Sequence, residues 1–304
     1  MPELFSSMPS NPQIHVQYLA PGHELITPEQ FHASNPENLG GNLAKMSPTM
    51  VVKWGNHASL IEAKNMLYVA GRTSIPVPKL YAAYAYGPLD RDLGDYGSVY
   101  DVYIFMEFIE GEDLRKSWGK YSAAEKQTIL MDLKKHMIEL RSLPPANYIG
   151  SVDEGPVTDL MLEWSTSARG LSLHAYARTD GEFLTRYLGP FKSIEDFNAK
   201  IVETFVARSK AQAGPYIRGM LNTHKHGIVF THGDLRPDNI IVKDGRVAAI
   251  IDWELSGWYP EYWEFAKAFY IEAFADDWGS HLLGVLTPYY CEQLIHARLM
   301  EVLW

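Results

Sequence analysis

The stretch Ile228–Glu254, "IVFTHGDLRPDNIIVKDGRVAAIIDWE", constrains this chain more than any other. Three apolar runs, "IVF", "IIV" and "VAAII", flank the polar residues His232, Asp234, Asn239 and Asp252. The runs read as strands. Polar side chains set among buried strands are costly unless something satisfies them. Asp244-Gly245, between the second and third runs, is the strongest short-range turn signal in the chain. A two-residue turn centred there sets 243 opposite 246, 239 opposite 250 and 237 opposite 252. Asn239 and Asp252 then leave the same end of one hairpin as diagonal neighbours, about 7 Å apart. Asp234, five residues before Asn239 in a turn containing Pro237, folds back over that end.

An amide oxygen and a carboxylate are hard donors, which suit Mg2+ rather than zinc. A carboxylate beside them that is not a ligand, Asp234, can accept a proton from an attacking hydroxyl. Taken singly, Asp234 and Asn239 could merely cap turns and Asp252 could end a strand. Three together, beside His232 and Arg236, argue for a site.

The rest of the chain divides in character. "TMVVKW" (49–54) reads as a strand carrying Lys53. The following helix has Asn56 as its expected N-cap, Gly71 as its stop, and Leu60, Ala63, Leu67 and Ala70 at helical spacing. "YAAYAYG" and "SVYDVYIFMEFI" read as two strands joined by a charged loop over 87–97. After "EGEDL" the pattern turns helical. Ser122 and Glu125 form a capping box, and Ile129, Leu133, His136, Met137 and Leu140 line one apolar face. Further helices are expected over 193–212, over 261–274 and from about Thr287. The expected fold class is α+β with two lobes: a strand-rich lobe over 1–108, which includes a loose N-terminal arm, and a helical lobe over 109–304.

"HGDLRPDN" followed by "IDWE" resembles the aminoglycoside phosphotransferase family, which shares the protein-kinase-like fold. The pattern parallels the kinase H-R-D-x-x-x-x-N and D-F-G segments in order, spacing and residue type. Upstream, "VVKW" resembles the strand bearing the ATP-binding lysine, and "YIFMEFIEGEDL" resembles the segment that clasps adenine. The resemblance runs from about Val51 to Phe269. It implies that Asp234 is the catalytic base or orients the hydroxyl, with Arg236 near the γ-phosphate. Asn239 and Asp252 would hold Mg2+. Lys53, anchored by Glu62, would contact the α/β-phosphates of ATP, and adenine would meet the backbone around Met106, Glu107, Phe108 and Ile109. His232 would brace the loop. A loose transition state needs little beyond charge neutralisation and positioning.

The acceptor implied is the hydroxyl of a small molecule. No Ala-Pro-Glu follows "DWE", which disfavours a protein kinase. No G-x-G-x-x-G occurs either; the nearest stretch is "NLGGNLAK" (38–45), so a nucleotide-binding pseudoenzyme is the alternative. The aromatics of "GWYPEYWEFAKAFYIEAFADDW" are expected to be mostly core, and its acids mostly surface. A net charge of −10 and the lack of basic clusters argue against nucleic acid. No apolar run reaches the length of a membrane span, and the first residues do not read as a signal peptide. The single cysteine, Cys291, rules out an internal disulfide and fits a cytoplasmic setting. It is expected to be a small buried side chain.

Overall fold

A computed structural model describes residues 11–91, 98–159, 162, 176–177, 183–184, 188–270 and 276–303. Most of the expected N-terminal arm lies outside these residues. So do part of the 87–97 loop, most of 160–187 and the end of the helix expected over 261–274.

The described residues fall into two compact units, one within 1–63, 78–108 and 165–186, the other within 64–77, 109–164 and 187–304. The first is built on a six-stranded antiparallel sheet. Its strands are β1 (Gln13–Leu19), β2 (Glu37–Gly40), β3 (Leu43–Ser47), β4 (Met50–Gly55), β5 (Leu80–Gly87) and β6 (Asp101–Glu107), in the order β1-β5-β6-β4-β3-β2. Helix α1 (Pro28–Ala33), opened by a Thr27–Gln30 capping box, sets Phe31 against one face of this sheet. There Phe31 packs with Val52, Tyr84, Tyr103 and Phe105. β-branched and aromatic side chains favour such a pleated surface, and β4, β5 and β6 fall on the three runs expected as strands, whereas β1, β2 and β3 are additional to the expectation. Helix α2 (Leu60–Ala70) begins in this unit and ends in the other.

The second unit carries β7 (Glu112–Asp113), α3 (Leu114–Ser117) and the long helix α4 (Ala123–Arg141). Ser122 and Glu125 close the expected capping box, and the expected apolar face of α4 is buried. The short strands β8 (Tyr176–Ala177) and β9 (Phe183–Leu184) form a pair belonging to the first unit. The chain then returns through α5 (Ile194–Ser209), α6 (Gly214–Leu221), β10 (Ile228–Thr231), β11 (Ile240–Lys243), β12 (Arg246–Ile250) and β13 (Gly257–Pro260). It closes with α7 (Trp263–Tyr270), α8 (Trp278–Leu282) and α9 (Tyr290–Leu303). The core of this unit gathers Phe197 and Ile201 of α5, Trp263 and Ala266 of α7, and Leu299 and Met300 of α9.

Several expectations change. Helix α2 starts at Leu60, not at Asn56: Gly55 turns at positive φ, and Ser59 Oγ accepts from the Ile61 N–H. Its buried face runs through Glu62, Ala63, Asn65, Met66 and Val69, so two polar residues lie on the covered side while Ala70 is exposed. Cys291 is exposed. The buried face of α9 is set by His296, Leu299, Met300 and Leu303, and Cys291 falls outside that stripe. Trp258, Tyr259, Tyr262, Trp263, Phe269 and Trp278 are core, as expected, but Glu264 among them is buried too. Among the described residues, no helix is long and apolar enough to cross a membrane.

Asp277, before α8, ties that helix to α4. Its carboxylate accepts from Lys126 Nζ at 2.9 Å and from Trp118 Nε1 at 2.7 Å. These bonds, that from Lys126 first, hold the carboxyl from its usual 3.8 down to about 2. The folded value lies below the unfolded one, so the stabilisation is complete above about pH 4 and is lost as pH falls toward 2. Asp277→Asn should therefore flatten the fall of the melting temperature between about pH 4 and pH 2, read by circular dichroism at fixed ionic strength.

Candidate active site

β11 and β12 are joined by the expected Asp-Gly turn, with Asp244 at φ 51° and Gly245 at φ 70°. Both values are positive, as the two-residue turn that matches strand twist requires. Lys243 faces Arg246 as expected. The register then shifts: Ile241 pairs with Ala249 and Val242 with Val247, so Ala248 is an extra residue on β12. Ile250 therefore faces Ile240 instead of Asn239, and the Asn239 carbonyl accepts from the Ile251 N–H at 2.9 Å. A bulge of this kind leaves no mark in the apolar pattern. It brings Asn239 level with the residue just before Asp252. The hairpin is fastened at its tip by Arg246, whose Nε and Nη2 fork onto Asp132 of α4, each at 2.7 Å.

The loop from His232 to Asn239 closes over this end. The Asn239 amide nitrogen donates to the Asp234 carbonyl at 2.9 Å and to Asp234 Oδ2 at 2.8 Å. Both amide protons are thus directed at Asp234, and the amide oxygen points elsewhere. Arg236 Nε lies 3.2 Å from the same Oδ2. The Asp234 side chain is 11% exposed, so its carboxylate is held in place and still reaches solvent. His232 braces the loop. Its Nε2 donates to the Ile251 carbonyl at 3.0 Å, and its Nδ1 accepts from the Asp234 N–H at 3.2 Å. A carbonyl at one nitrogen and an N–H at the other fix the proton on Nε2.

Beneath the loop lies a residue that the sequence reading missed. Glu264 of α7, buried, accepts from the His232 N–H at 2.6 Å and the Gly233 N–H at 3.2 Å. Burial holds the Glu264 carboxyl above its usual range, against the pull of the two N–H bonds. Gly233 takes φ +84°, and a Cβ there would lie 2.5 Å from the Leu255 carbonyl, so only glycine fits the turn.

Asp252 itself is left-handed, with φ 65° and ψ 63°. For a residue other than glycine this costs about 1–3 kcal/mol and persists only where the surroundings enforce it. The enforcement is visible. Asn65 Nδ2 donates to the carbonyls of Trp253 at 2.8 Å and Ser256 at 2.9 Å. Trp253 Nε1 donates to the Ile250 carbonyl at 2.9 Å, and Ser256 Oγ donates to the His232 carbonyl at 2.8 Å. Asn65 is the second missed residue; a polar side chain on the covered face of α2 was its only trace.

The first unit holds the other expected residues. On β4, Lys53 stands between Leu43 and Ile104 and pairs with Glu62 at 2.7 Å, both residues buried. Met106, buried, faces Val51 and Leu80. The N–H groups of Glu107 and Phe108 donate to the carbonyls of Lys79 and Thr49, at 2.9 and 3.0 Å. Lys45 Nζ sits 3.6 Å above the Phe108 ring. Ile109 begins the second unit's next stretch. "NLGGNLAK" forms the β2–β3 hairpin, with Gly40 and Gly41 at positive φ.

A model of the phosphotransferase enzyme family matches residues 49–301. The chain belongs to that family. It is a phosphotransferase with the protein-kinase-like fold. Solved structures of similar fold include a thermostable mutant of aminoglycoside phosphotransferase APH(4)-Ia in its apo form. That match has 13% identity and a TM-score of 0.55, over 88% of this chain and 84% of that one. A streptomycin–ATP–APH(2")-IIa ternary complex matches at 15% identity and TM-score 0.50, over 91% and 86%. Aminoglycoside phosphotransferase APH(3'')-Id from Streptomyces rimosus matches at 16% and 0.51, over 86% and 90%. No curated protein matches the sequence.

Glu264→Gln offers a direct probe of this phosphotransferase's loop. The amide would turn an NH2 toward one of two buried N–H groups. Urea unfolding should show a loss of about 1.5–3 kcal/mol, the range for hydrogen bonds to a charged group. An unchanged midpoint would mean that the loop is held by other contacts.

Proposed function

We propose that the chain transfers the γ-phosphoryl group of ATP to a hydroxyl of a small molecule, with Mg2+ as cofactor. The observation that carries this reading is the Asp234 carboxylate, oriented by both the Asn239 amide and Arg236 and still open to solvent.

In this reading Asp234 accepts the proton of the acceptor hydroxyl. The bond between that oxygen and the γ-phosphorus forms as the bond from phosphorus to the β,γ-bridging oxygen breaks, and ADP leaves. The Asn239 amide, with both protons given to Asp234, presents its oxygen to a cation, and Asp252 supplies the carboxylate. An all-oxygen donor set fits Mg2+, which when bound neutralises the phosphate oxygens. Lys53, held by Glu62, meets the α/β-phosphates. Arg236, a planar fork, faces the charge that spreads over the γ-phosphoryl oxygens. The Glu107 and Phe108 N–H groups are engaged by Lys79 and Thr49, so adenine would meet other backbone groups around Met106, Glu107, Phe108 and Ile109.

The streptomycin–ATP complex of a structural neighbour supports both a nucleotide donor and a small acceptor. The absence of Ala-Pro-Glu after "DWE" in the sequence also favours a small acceptor over a protein. A single cysteine accords with a reducing, cytoplasmic setting.

The test is ADP release against a panel of hydroxylated small molecules, with and without Mg2+. Asp234→Asn should lower kcat on any accepted compound by about 10²–10⁴ while leaving ATP affinity within a few-fold. Turnover unchanged in Asp234→Asn would remove that residue from the chemistry. ATP binding with no turnover across the panel would favour the pseudoenzyme.

A further inference from the structure

β10 and β13 pair antiparallel, and the loop bearing Asp234 leaves one end of that pair. The opposite end carries a different cluster. The Glu261 N–H donates to the Gly227 carbonyl at 2.9 Å, which extends the pairing and sets His226 near Glu261. Glu292, in the first turn of α9, comes against both His224 and His226.

The atoms converge. His224 Nδ1 lies 2.6 Å from Glu292 Oε1, and His226 Nε2 lies 3.3 Å from the same oxygen. All three candidate ligand atoms fall within 4.8 Å of one another. Zinc bonds to nitrogen and oxygen of about 2.0–2.1 Å place tetrahedral ligands about 3.3 Å apart, so the His226–Glu292 separation is already an edge of such a polyhedron. The other ring nitrogen of His226 is 3.3 Å from Glu261 Oε1. A carboxylate accepting from Nδ1–H leaves the Nε2 lone pair aimed at the cluster. This outer carboxylate is what orients metal-binding imidazoles generally. The His226 ring is further fixed by Tyr262, edge-on at 4.8 Å. His226 and Glu292 are 6% and 13% exposed, whereas His224 is 55% exposed, so a cation has an open approach.

We propose that His224, His226 and Glu292 form a zinc-class divalent metal site, completed by water, with Glu261 orienting His226. Two imidazoles and one carboxylate select a borderline transition ion over Mg2+ or Ca2+. The ion joins the first turn of α9 to the strand that feeds the Asp234 loop, so it acts as a staple and takes no part in phosphoryl transfer. The competing arrangement is an imidazolium of His226 bridging Glu261 and Glu292, with no metal.

The untagged full chain, stripped with chelator and exposed to Zn2+ or Co2+ alone, decides between them. Expected are one metal per chain after gel filtration, the strong visible bands of four-coordinate Co2+, and a melting temperature raised by Zn2+. His224→Ala, an exposed position that leaves the core intact, and Glu292→Gln should lose all three. Lys225→Ala should keep them. Glu261→Gln should weaken the metal by about 10- to 100-fold. Absence of stoichiometric metal in the wild type overturns the proposal. So does uptake that His224→Ala and Glu292→Gln leave unchanged in variants of native circular dichroism.

Discussion

Two consecutive backbone N–H groups, those of His232 and Gly233, end on one buried carboxylate, Glu264. Buried N–H groups require acceptors, and a charged acceptor is the strongest available to them. Glu264 sits on α7 beside Trp263 and Ala266, both packed into the core of the helical unit. The loop is therefore fixed by the same helix that fills that core. From this point the connections run two ways. His232 reaches forward to the Asp234 N–H, and its ring and carbonyl reach across to Ile251 and Ser256, on either side of Asp252. Dipoles held in advance need not reorganise as charge develops, which is how electrostatic catalysis acquires its leverage.

Much of this was legible beforehand. The Asp-Gly turn dictates a hairpin with Asn239 and Asp252 at one end, and the apolar periods mark β4, β5, β6, β10, β11, β12 and α4. The rest had physical reasons for staying hidden. The Ala248 bulge changes register without changing hydrophobicity. Asn65 and Glu264 are buried polar residues whose partners are backbone groups distant in sequence, and no local pattern encodes such pairs. A cysteine in a helix is usually covered, but Cys291 lies outside the face that α9 buries, which is set by His296, Leu299, Met300 and Leu303. Helix α2 begins three residues after the expected start, since Asn56 has the chemistry of a cap but Ser59 has the geometry.

Two features cost stability. Asp252 is held left-handed, and Lys53 and Glu62 are buried as an ion pair. A buried pair is often no more stabilising than apolar residues of the same volume. Both features fall on residues proposed to face ATP and its cation, which is where strain and buried charge are generally retained. The neighbouring bonds from Asn65, Trp253 and Ser256 show how the first of these costs is met locally.

The proposed phosphoryl transfer requires that the hairpin end offer the Asn239 amide oxygen and the Asp252 carboxylate to one cation. Calorimetric titration with ATP, in the presence and absence of Mg2+, tests this most directly when wild type is set beside Asp252→Asn. The account predicts that Mg2+ tightens ATP binding in the wild type and has little effect in the variant. An equal Mg2+ effect in both proteins would contradict it.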